Sequence, residues 1–507
     1  MPTVAEDLQW ALKQFKSKRQ QAYSLYNSYY DGNQRLAFAT EKFRDVFGHV
    51  FKEFAENLCS PVVDALSDRL EITGFKSSEA EVVIEEEKTE GEGPKVEGGA
   101  GLGEEVKPAA SYRKVTTKDP LGVRCLEIWD RNRMDLKAGE VHTESLKLGD
   151  AYAIVWPNDE QEAEIWPQVG YNCCIRYDAN IQGKILVGAK RWWDDVTDKW
   201  MINLYYPEMI VKFIQKGTST HLAENINSFE VYERVNNPYG RVPLFHFPNR
   251  RARAYGISEL RDVIPIQDGL NKSCMDMIIA MEFASFKQRY VIGWEIPLDE
   301  VTGEPVDPTA KNYGVDRLLA IGDVDAKVGQ FDATDLTQFL KVQEKFWASA
   351  ARISGTPLHY FFITEGDFPS GEAMKSAEAR FVKKIKDRQT GFGNVWEDVL
   401  KFCLRIEEST DTSEIEIESE WVTAAPRSES EVADTAVKKK AVGVSRSQIL
   451  RELGYDEETI IRMLMESDAD AVRSAQLKGA QQNGSKEGQE EGQKVPAKTG
   501  PGKGVPR

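Results

Sequence analysis

Two stretches of the chain keep a helical period for longer than a globular core helix needs. Residues 257–289 place Leu260, Ile264, Leu270, Cys274, Met277, Ile278 and Met281 near one side. At about 1.5 Å per residue this run reaches roughly 50 Å, against the usual three or four turns. Pro265 falls in its first turns, where it is either tolerated or produces a kink. Residues 372–406 form a second such run, with Ser370 as a candidate N-cap and Glu372 placed to favour the helix dipole. Rods with a half-apolar face must cover it, either within one subunit or against a neighbouring copy.

The rest of the chain is mixed. Leu8, Leu12 and Phe15, then Tyr23, Tyr26 and Tyr30, recur at helical spacing ahead of the turn signal Tyr30-Asp31-Gly32-Asn33. A further helix is expected over 47–70, with Phe51, Phe54, Leu58, Val62, Ala65 and Leu66 on its apolar side and Pro61 as a divider or kink. Between Ser77 and Pro108 ten Glu stand against three Lys, among glycines. Such a segment buries too little apolar area to offset its ordering entropy, which predicts a flexible, disordered acidic loop over about 77–110, inserted into a folded domain. Helix resumes over 121–149. From 151 to 235, runs such as AYAIVW, ILVGAKRWW and KWMINLYY alternate with turn clusters, which predicts a mostly antiparallel sheet closed by Asn237-Pro238-Tyr239-Gly240. Strand and turn are expected over 290–331, a helix over 335–353, a Gly, Pro and aromatic loop over 355–371, a short strand over 415–422 and helices over 428–467. The tail beyond 477 has no apolar pattern and is expected to be disordered. The whole reads as α+β.

The chain has 507 residues and a net charge of −17, which argues against a protein that coats DNA. It is compatible with a surface that lets DNA slide without sticking. Cys59, Cys125, Cys173, Cys174, Cys274 and Cys403 show no CxxC spacing and read as reduced thiols of a cytosolic product. The adjacent Cys173-Cys174 lies in a strand pattern and reads as core. The N-terminus is amphipathic and acidic, unlike a signal peptide, and no run of about 18 apolar residues offers a membrane span. There is no GxxxxGK[ST], HExxH, GxSxG or zinc spacing. His49, His142, His221, His246 and His359 are far apart and read as structural. Asp194-Asp195 and Asp323/Asp325 read as turn chemistry rather than ligands of a divalent ion. No catalytic residue, cofactor or metal is expected, and the chain is not read as an enzyme.

The order of parts is helical start, β-rich middle, long helix, small β insert, second helix, aromatic loop, long helix, terminal helices. Several runs accompany it: YYDG at 29–32, NLCSPVVDALSDRLEITGF at 57–75 and GDAYAIVWP at 149–157, then RVPLFHFPNR at 241–250, GISELRDVIPIQDGLNKSCMDM at 256–277 and PSGEAMKSAEARFVKKI at 369–385. In order and wording the chain resembles the portal, or head-to-tail connector, proteins of long-tailed phages, particularly the group common in phages of Gram-positive hosts. The likeness spans roughly residues 1–467, and the acidic loop looks like an addition to the family pattern.

The resemblance implies a portal fold: a mixed α/β wing over 1–256, stem helices at 257–289 and 334–354, and a small α/β clip at 290–333. A tunnel loop at 355–371, a long kinked wing helix with a wing strand over 372–427, a helical crown at 428–470 and a disordered tail at 471–507 complete it. It implies a homo-oligomeric ring, usually of twelve, at one capsid vertex. That ring would be a passive conduit for double-stranded DNA, without sequence specificity, during packaging and ejection. Implied partners are the terminase motor, scaffold, major capsid and head-completion proteins, with no membrane. The implied location is the virion, and the host cytoplasm during assembly. Candidates for contact with DNA are Leu358, His359, Tyr360, Phe361, Phe362 and Phe368 in the loop, and Lys341, Lys345, Lys375, Lys383 and Lys384 on the helices. Arg380, Lys386 and Arg388 lie beside them. The plainer readings are loops packed against neighbouring loops, and interface salt bridges or a solvated face. Competing functions are another structural virion component, such as an adaptor or capsid protein, and a metal-dependent nucleic-acid enzyme.

Overall fold

The computed structural model describes residues 3–38, 56–78, 81–87, 112–181, 183–250, 254–285, 289–292, 327–330, 336–361, 371–408, 415–425 and 429–453, with a few single positions besides. They fall into two compact units, Met1–Glu81 with Lys118–Ala425, and Val82–Thr117 with Pro426–Arg507.

The larger unit is layered. Helix α1 (Val4–Phe15) opens on a capping box: the Thr3 hydroxyl accepts from the Glu6 N–H, and the Glu6 carboxylate accepts from the Thr3 N–H at 2.7 Å. Its buried side, Leu8, Ala11, Leu12 and Phe15, lies on one face of a five-stranded sheet. That sheet runs β10 (Phe229–Asn236), β9 (Met209–Gln215), β8 (Lys199–Tyr205), β7 (Ile185–Asp194), β6 (Cys173–Tyr177), each pair antiparallel. Its other face meets a three-stranded sheet of β11 (Leu244–Pro248), β4 (Asp150–Pro157) and β5 (Ala163–Gln168). The single sheet expected from sequence is therefore two stacked sheets. Alternation across β4 shows why: Tyr152 and Ile154 face the five-stranded sheet, while Ala151, Ala153 and Val155 face the helices. Cys173 and Cys174 point to opposite faces, each fully buried.

The largest core lies on the helical side of β4. It joins α2 (Lys18–Tyr30), α3 (Cys59–Ser67), α4 (Pro120–Arg131) and α5 (Met134–Leu148) to the 38-residue helix α8 (Gly371–Glu408). Trp396 of α8 is fully buried, 4.5 Å from the Phe247 ring centre and 5.0 Å from that of Trp129. Its indole N–H donates to His142 Nε2 at 2.9 Å, and His142 Nδ1 lies 3.0 Å from the Leu70 carbonyl. Burial pushes the His142 pKa down to about 4, so the ring packs as a neutral group. Strand β1 (Ile72–Ser77) pairs antiparallel with β14 (Ile417–Trp421) beside α8.

Three expectations change in detail. The helix expected over 47–70 is, among the described residues, Cys59–Ser67; Pro61 sits in its first turn and divides nothing, and 47–55 lie outside those residues. The stretch 121–149 is two helices. They break at Asn132-Arg133, where Arg133 is left-handed (φ 55) and the Asn132 side chain serves β5 instead. The helix expected from 257 starts at Ile264: Pro265 has no N–H to give the Arg261 carbonyl and its ring crowds that carbonyl, so the helix begins beside the proline instead of running through it. Pro265 is thus its second residue, where a missing N–H costs nothing.

The outward backbone groups of the edge strand β5 are also taken. Ala163 N–H donates to the Glu407 carboxylate at 2.9 Å and Ile165 N–H to Asn132 Oδ1 at 2.9 Å, while Asn132 Nδ2 donates to the Ala163 carbonyl at 3.0 Å. Pro167, next along that edge, has no N–H.

In the second unit β2 (Glu81–Glu87) pairs with β3 (Tyr112–Lys118). The acidic loop expected over 77–110 therefore begins as a strand: VVI in its early part supplies β-branched residues that its charge count obscured. Residues 88–111 lie outside the described ones. Helices α9 (Glu429–Ala441) and α10 (Arg446–Glu452) fall where terminal helices were expected. The tail at 471–507 lies outside the described residues.

Backbone packing is tightest at Gly256. A Cβ there would lie 1.9 Å from the Gly149 carbonyl oxygen and 2.7 Å from the Asn249 backbone N. Gly139, inside α5, has nothing within 4 Å of its own Cβ position. Gly256→Ala is expected to destabilise by about 2–4 kcal/mol, and Gly139→Ala to stabilise by about 0.5–1 kcal/mol. Denaturant unfolding of the two variants checks both signs.

Candidate functional site

Helix α6 (Ile264–Ser285) packs along α7 (Thr337–Ser354). Gly269 permits the approach: a Cβ there would lie 2.7 Å from Cε1 of Phe346. Leu270, Cys274 and Ala350 form a small core with Leu58, and Phe346 and Trp347 pack against it. Gln267 fastens this core by accepting from the Leu58 N–H at 2.7 Å and donating to the Glu56 carbonyl at 2.6 Å. The Trp347 indole donates to the Glu56 carboxylate at 2.7 Å. The buried residues of α7 are Gln343, Ala350 and Ser354, while Leu340, Val342 and Ile353 are 51%, 42% and 44% exposed. At about 100° per residue Val342 and Ile353 lie on one flank of the buried face and Leu340 on the other, so both flanks of α7 carry exposed apolar residues.

Gly355 ends α7 in the left-handed region (φ 75), and residues 355–361 run back onto α8. Glu378 of α8 holds them there. Its carboxylate lies 3.3 Å from His359 Nε2 and 3.8 Å from an Arg69 nitrogen, and its side chain is 8% exposed. Arg69 also donates to the Tyr360 hydroxyl and, at 3.0 Å, to the Ala424 carbonyl. The Tyr360 ring packs on Phe381 at 5.5 Å.

A second buried carboxylate, Glu259, stands at the approach to α6. Lys384 Nζ lies 2.7 Å from Oε2, and Arg388 Nη2 and Arg250 Nε lie 2.7 and 3.3 Å from Oε1. Asn249 Nδ2 donates to Oε1 at 3.0 Å. Lys384 also donates to the Ser354 carbonyl at 2.8 Å, so the cluster joins the end of α7 to α8.

The candidate residues from sequence divide accordingly. Lys341 and Lys345 are exposed on α7, one turn apart, and among the described residues neither pairs with a carboxylate. Leu358 is exposed, and His359 and Tyr360 are half-buried against Glu378 and Arg69. Phe361 packs between the large core and the α6–α7 core. Phe362 and Phe368 lie outside the described residues. Lys375 and Lys383 are exposed, and Lys383 pairs with Asp387 at 2.5 Å. Lys384 and Arg388 are removed from the set, because Glu259 engages both inside the subunit. Arg380 donates to the Arg352 carbonyl at 3.0 Å, and Lys386 is exposed. Sequence reading missed Arg69, Glu259 and Glu378. Glu259 stands within the run GISEL, but no local spacing marks Lys384 and Arg388, more than a hundred residues away, as its partners.

Among the described residues no group of three or more His, Cys, Asp or Glu is placed to hold a metal ion, and no helix is long and apolar enough to cross a membrane. Burial acts to raise the Glu259 pKa, but Lys384, Arg250 and Arg388 overcome it and hold the carboxyl at about 2, against an ordinary value of 4.5. The folded value lies below the unfolded one, so the stabilisation is complete above pH 4.5 and is lost as pH falls toward 2. Glu259→Gln is expected to cost about 3–5 kcal/mol at pH 7, since three cations lose their buried partner. It is also expected to flatten the loss of stability across that acid range. Denaturant titrations at stepped pH measure both.

Comparison with known proteins agrees with the resemblance read from sequence. Residues 113–471 match the family described as phage portal protein, SPP1 Gp6-like. The portal protein of Mycobacterium phage D29 is 24% identical over 361 residues, covering 64% of this chain and 69% of that protein. The portal protein of Mycobacterium phage L5 is 26% identical over 348 residues, covering 64% and 68%. A chain from the virion of a native gene transfer agent particle overlays with a TM-score of 0.38 at 15% identity, over 67% of this chain and 90% of that one. With well over half of its length matched by the family model, this chain belongs to the phage portal protein family, SPP1 Gp6-like.

Proposed function

We propose that copies of this chain close into a ring walled by α6 and α7, through which double-stranded DNA passes without sequence readout. As a member of its family the chain is a structural phage portal protein, part of an oligomeric assembly at a capsid vertex of the virion. The observation that carries the ring is the exposed apolar residues on the two flanks of α7, Leu340 on one and Val342 with Ile353 on the other. Covering a leucine contributes about 1.5–3 kcal/mol, and a head-to-tail contact that closes repeats that gain at every interface.

In this reading residues 1–256 form the wing, α6 and α7 the stem, and 290–333 the clip. Of the clip, β12 (Arg289–Ile292) and β13 (Lys327–Gln330) pair antiparallel at its two ends. The segment 355–371 is the tunnel loop, α8 and β14 belong to the wing, and α9 and α10 to the crown. Lys341, Lys345, Lys375 and Lys383, with the loop residues Leu358 to Phe362 and Phe368, are the positions nearest DNA. A net charge of −17 on each copy keeps the grip weak, and screening over about 8 Å restricts what DNA feels to charges near the lumen. Energy for packaging comes from a terminase ATPase docked on the clip; the chain itself catalyses nothing. Twelve copies, scaffold, major capsid and head-completion proteins as partners, and assembly in the host cytoplasm complete the proposal.

Negative-stain microscopy of the purified protein is expected to show rings with a central hole. Leu340→Asp combined with Ile353→Asp is expected to leave folded protein with few or no rings, because each interface would bury two carboxylates. Alanine substitution across residues 358–362 is expected to leave rings intact while DNA-packaging yield falls. Unchanged packaging removes the loop from the mechanism, and intact rings in the double variant remove α7 from the interface.

A further inference from the structure

A cleft of about 620 Å³ lies where the α1–α2 turn meets the five-stranded sheet, with Phe15, Lys16, Gln20, Asn27, Tyr171 and Arg191 in its wall. Arg191 is fixed there. Its guanidinium carbon stands 4.7 Å from the centre of the Phe15 ring and 6.0 Å from that of Trp200, and its Nε donates to the Tyr171 carbonyl at 3.3 Å. Among the described residues no carboxylate pairs with it, whereas nearby Lys16 pairs with Glu224 and Arg176 with Asp7. A guanidinium held on an aromatic shelf presents its terminal nitrogens as a fork suited to a carboxylate.

The wall holds two further unmatched groups. Gln20 is 9% exposed and its Nε2 has no partner, nor has Oδ1 of Asn27. Each such buried atom costs about 1–3 kcal/mol while unmatched. One is a donor and the other an acceptor. A phosphodiester or fully ionised phosphoryl group offers acceptors alone and would leave Asn27 unmatched, whereas a free phosphate bearing a proton could serve both and is the competitor used in the test. A peptide offers carbonyl and N–H together, and an acidic side chain adds the carboxylate that Arg191 lacks.

We infer that this cleft docks an acidic peptide segment of a partner protein. A Glu or Asp carboxylate meets Arg191, the peptide backbone meets Gln20 and Asn27, and the side-chain stem lies against Phe15 and Tyr171. A volume of this size holds two or three residues of such a segment. The inference is independent of the ring and of DNA passage.

The test titrates the full-length chain into a fluorescein-labelled peptide of alternating glutamate and leucine and reads anisotropy. Saturable binding is expected. It should weaken about tenfold or more in Arg191→Gln and when the peptide glutamates become glutamine, and severalfold in Gln20→Leu. Lys137→Gln, a charge removed elsewhere, should bind as the parent does. Circular dichroism melting checks that each variant is folded. Should Arg191→Gln fail to fold, Arg191→Lys keeps the charge without the fork and is expected to lose part of the affinity. Absence of saturable binding overturns the inference, as does equal binding by the Arg191 variants. Displacement of the peptide by inorganic phosphate at similar concentration overturns it too, making the cleft a small-oxyanion site.

Discussion

Glu259 stands where three parts of the chain meet: the segment leading into α6, the end of α7, and the middle of α8. Its cations come from two settings, Arg250 after β11 and Lys384 and Arg388 one turn apart on α8, with Lys384 also holding Ser354 at the end of α7. A buried carboxylate is costly unless it is paired and hydrogen-bonded. Here it is both, so the cost turns into a geometric requirement that all three elements arrive together. The paired helices are thereby tied to the layered core as well as to each other.

The same junction is tightened by backbone. The Asn249 N–H donates to the Gly149 carbonyl and the Ile257 N–H to the Asn249 carbonyl, around a point at Gly256 too narrow for a side chain. Asp150, next in line, is fully buried against His246, with Tyr23 and the Gly256 N–H completing its partners. Burial acts to raise the Asp150 pKa, but the bonds from His246, Gly256 and Tyr23 win and the carboxyl stays ionised. Polar groups thus specify where the two sheets meet the helices, and apolar residues fill what lies between.

Local pattern made some of this legible and long-range pairing hid the rest. The length of α8, the strands of the β-rich middle and the α7 run all follow from periodicity, and the family from their order. The start of α6 did not, because the apolar spacing continues through residues 257–263 and a proline near a helix start can either begin the helix or kink it. Two sheets read as one because strands covered on both faces lose polar alternation. Lys384 looked like its neighbour Lys383, since a lysine on an amphipathic helix carries no local mark of whether it is sealed against a distant carboxylate. Glu378 and Arg69, 309 positions apart, hold His359 and Tyr360 through contacts that no window of sequence contains. Arg191 was unremarked for the same reason: its aromatic shelf combines α1 with β8.

The sealed margin of β5 bears on how such a protein avoids going wrong. A molecule made to gather in many copies is concentrated by its own task, and an open strand would let it polymerise without end. Asn132, Glu407 and Pro167 deny that margin any main-chain partner. Growth from this edge into fibres is closed off, and at this margin self-association is left to side-chain surfaces, whose geometry can stop after a finite number of subunits.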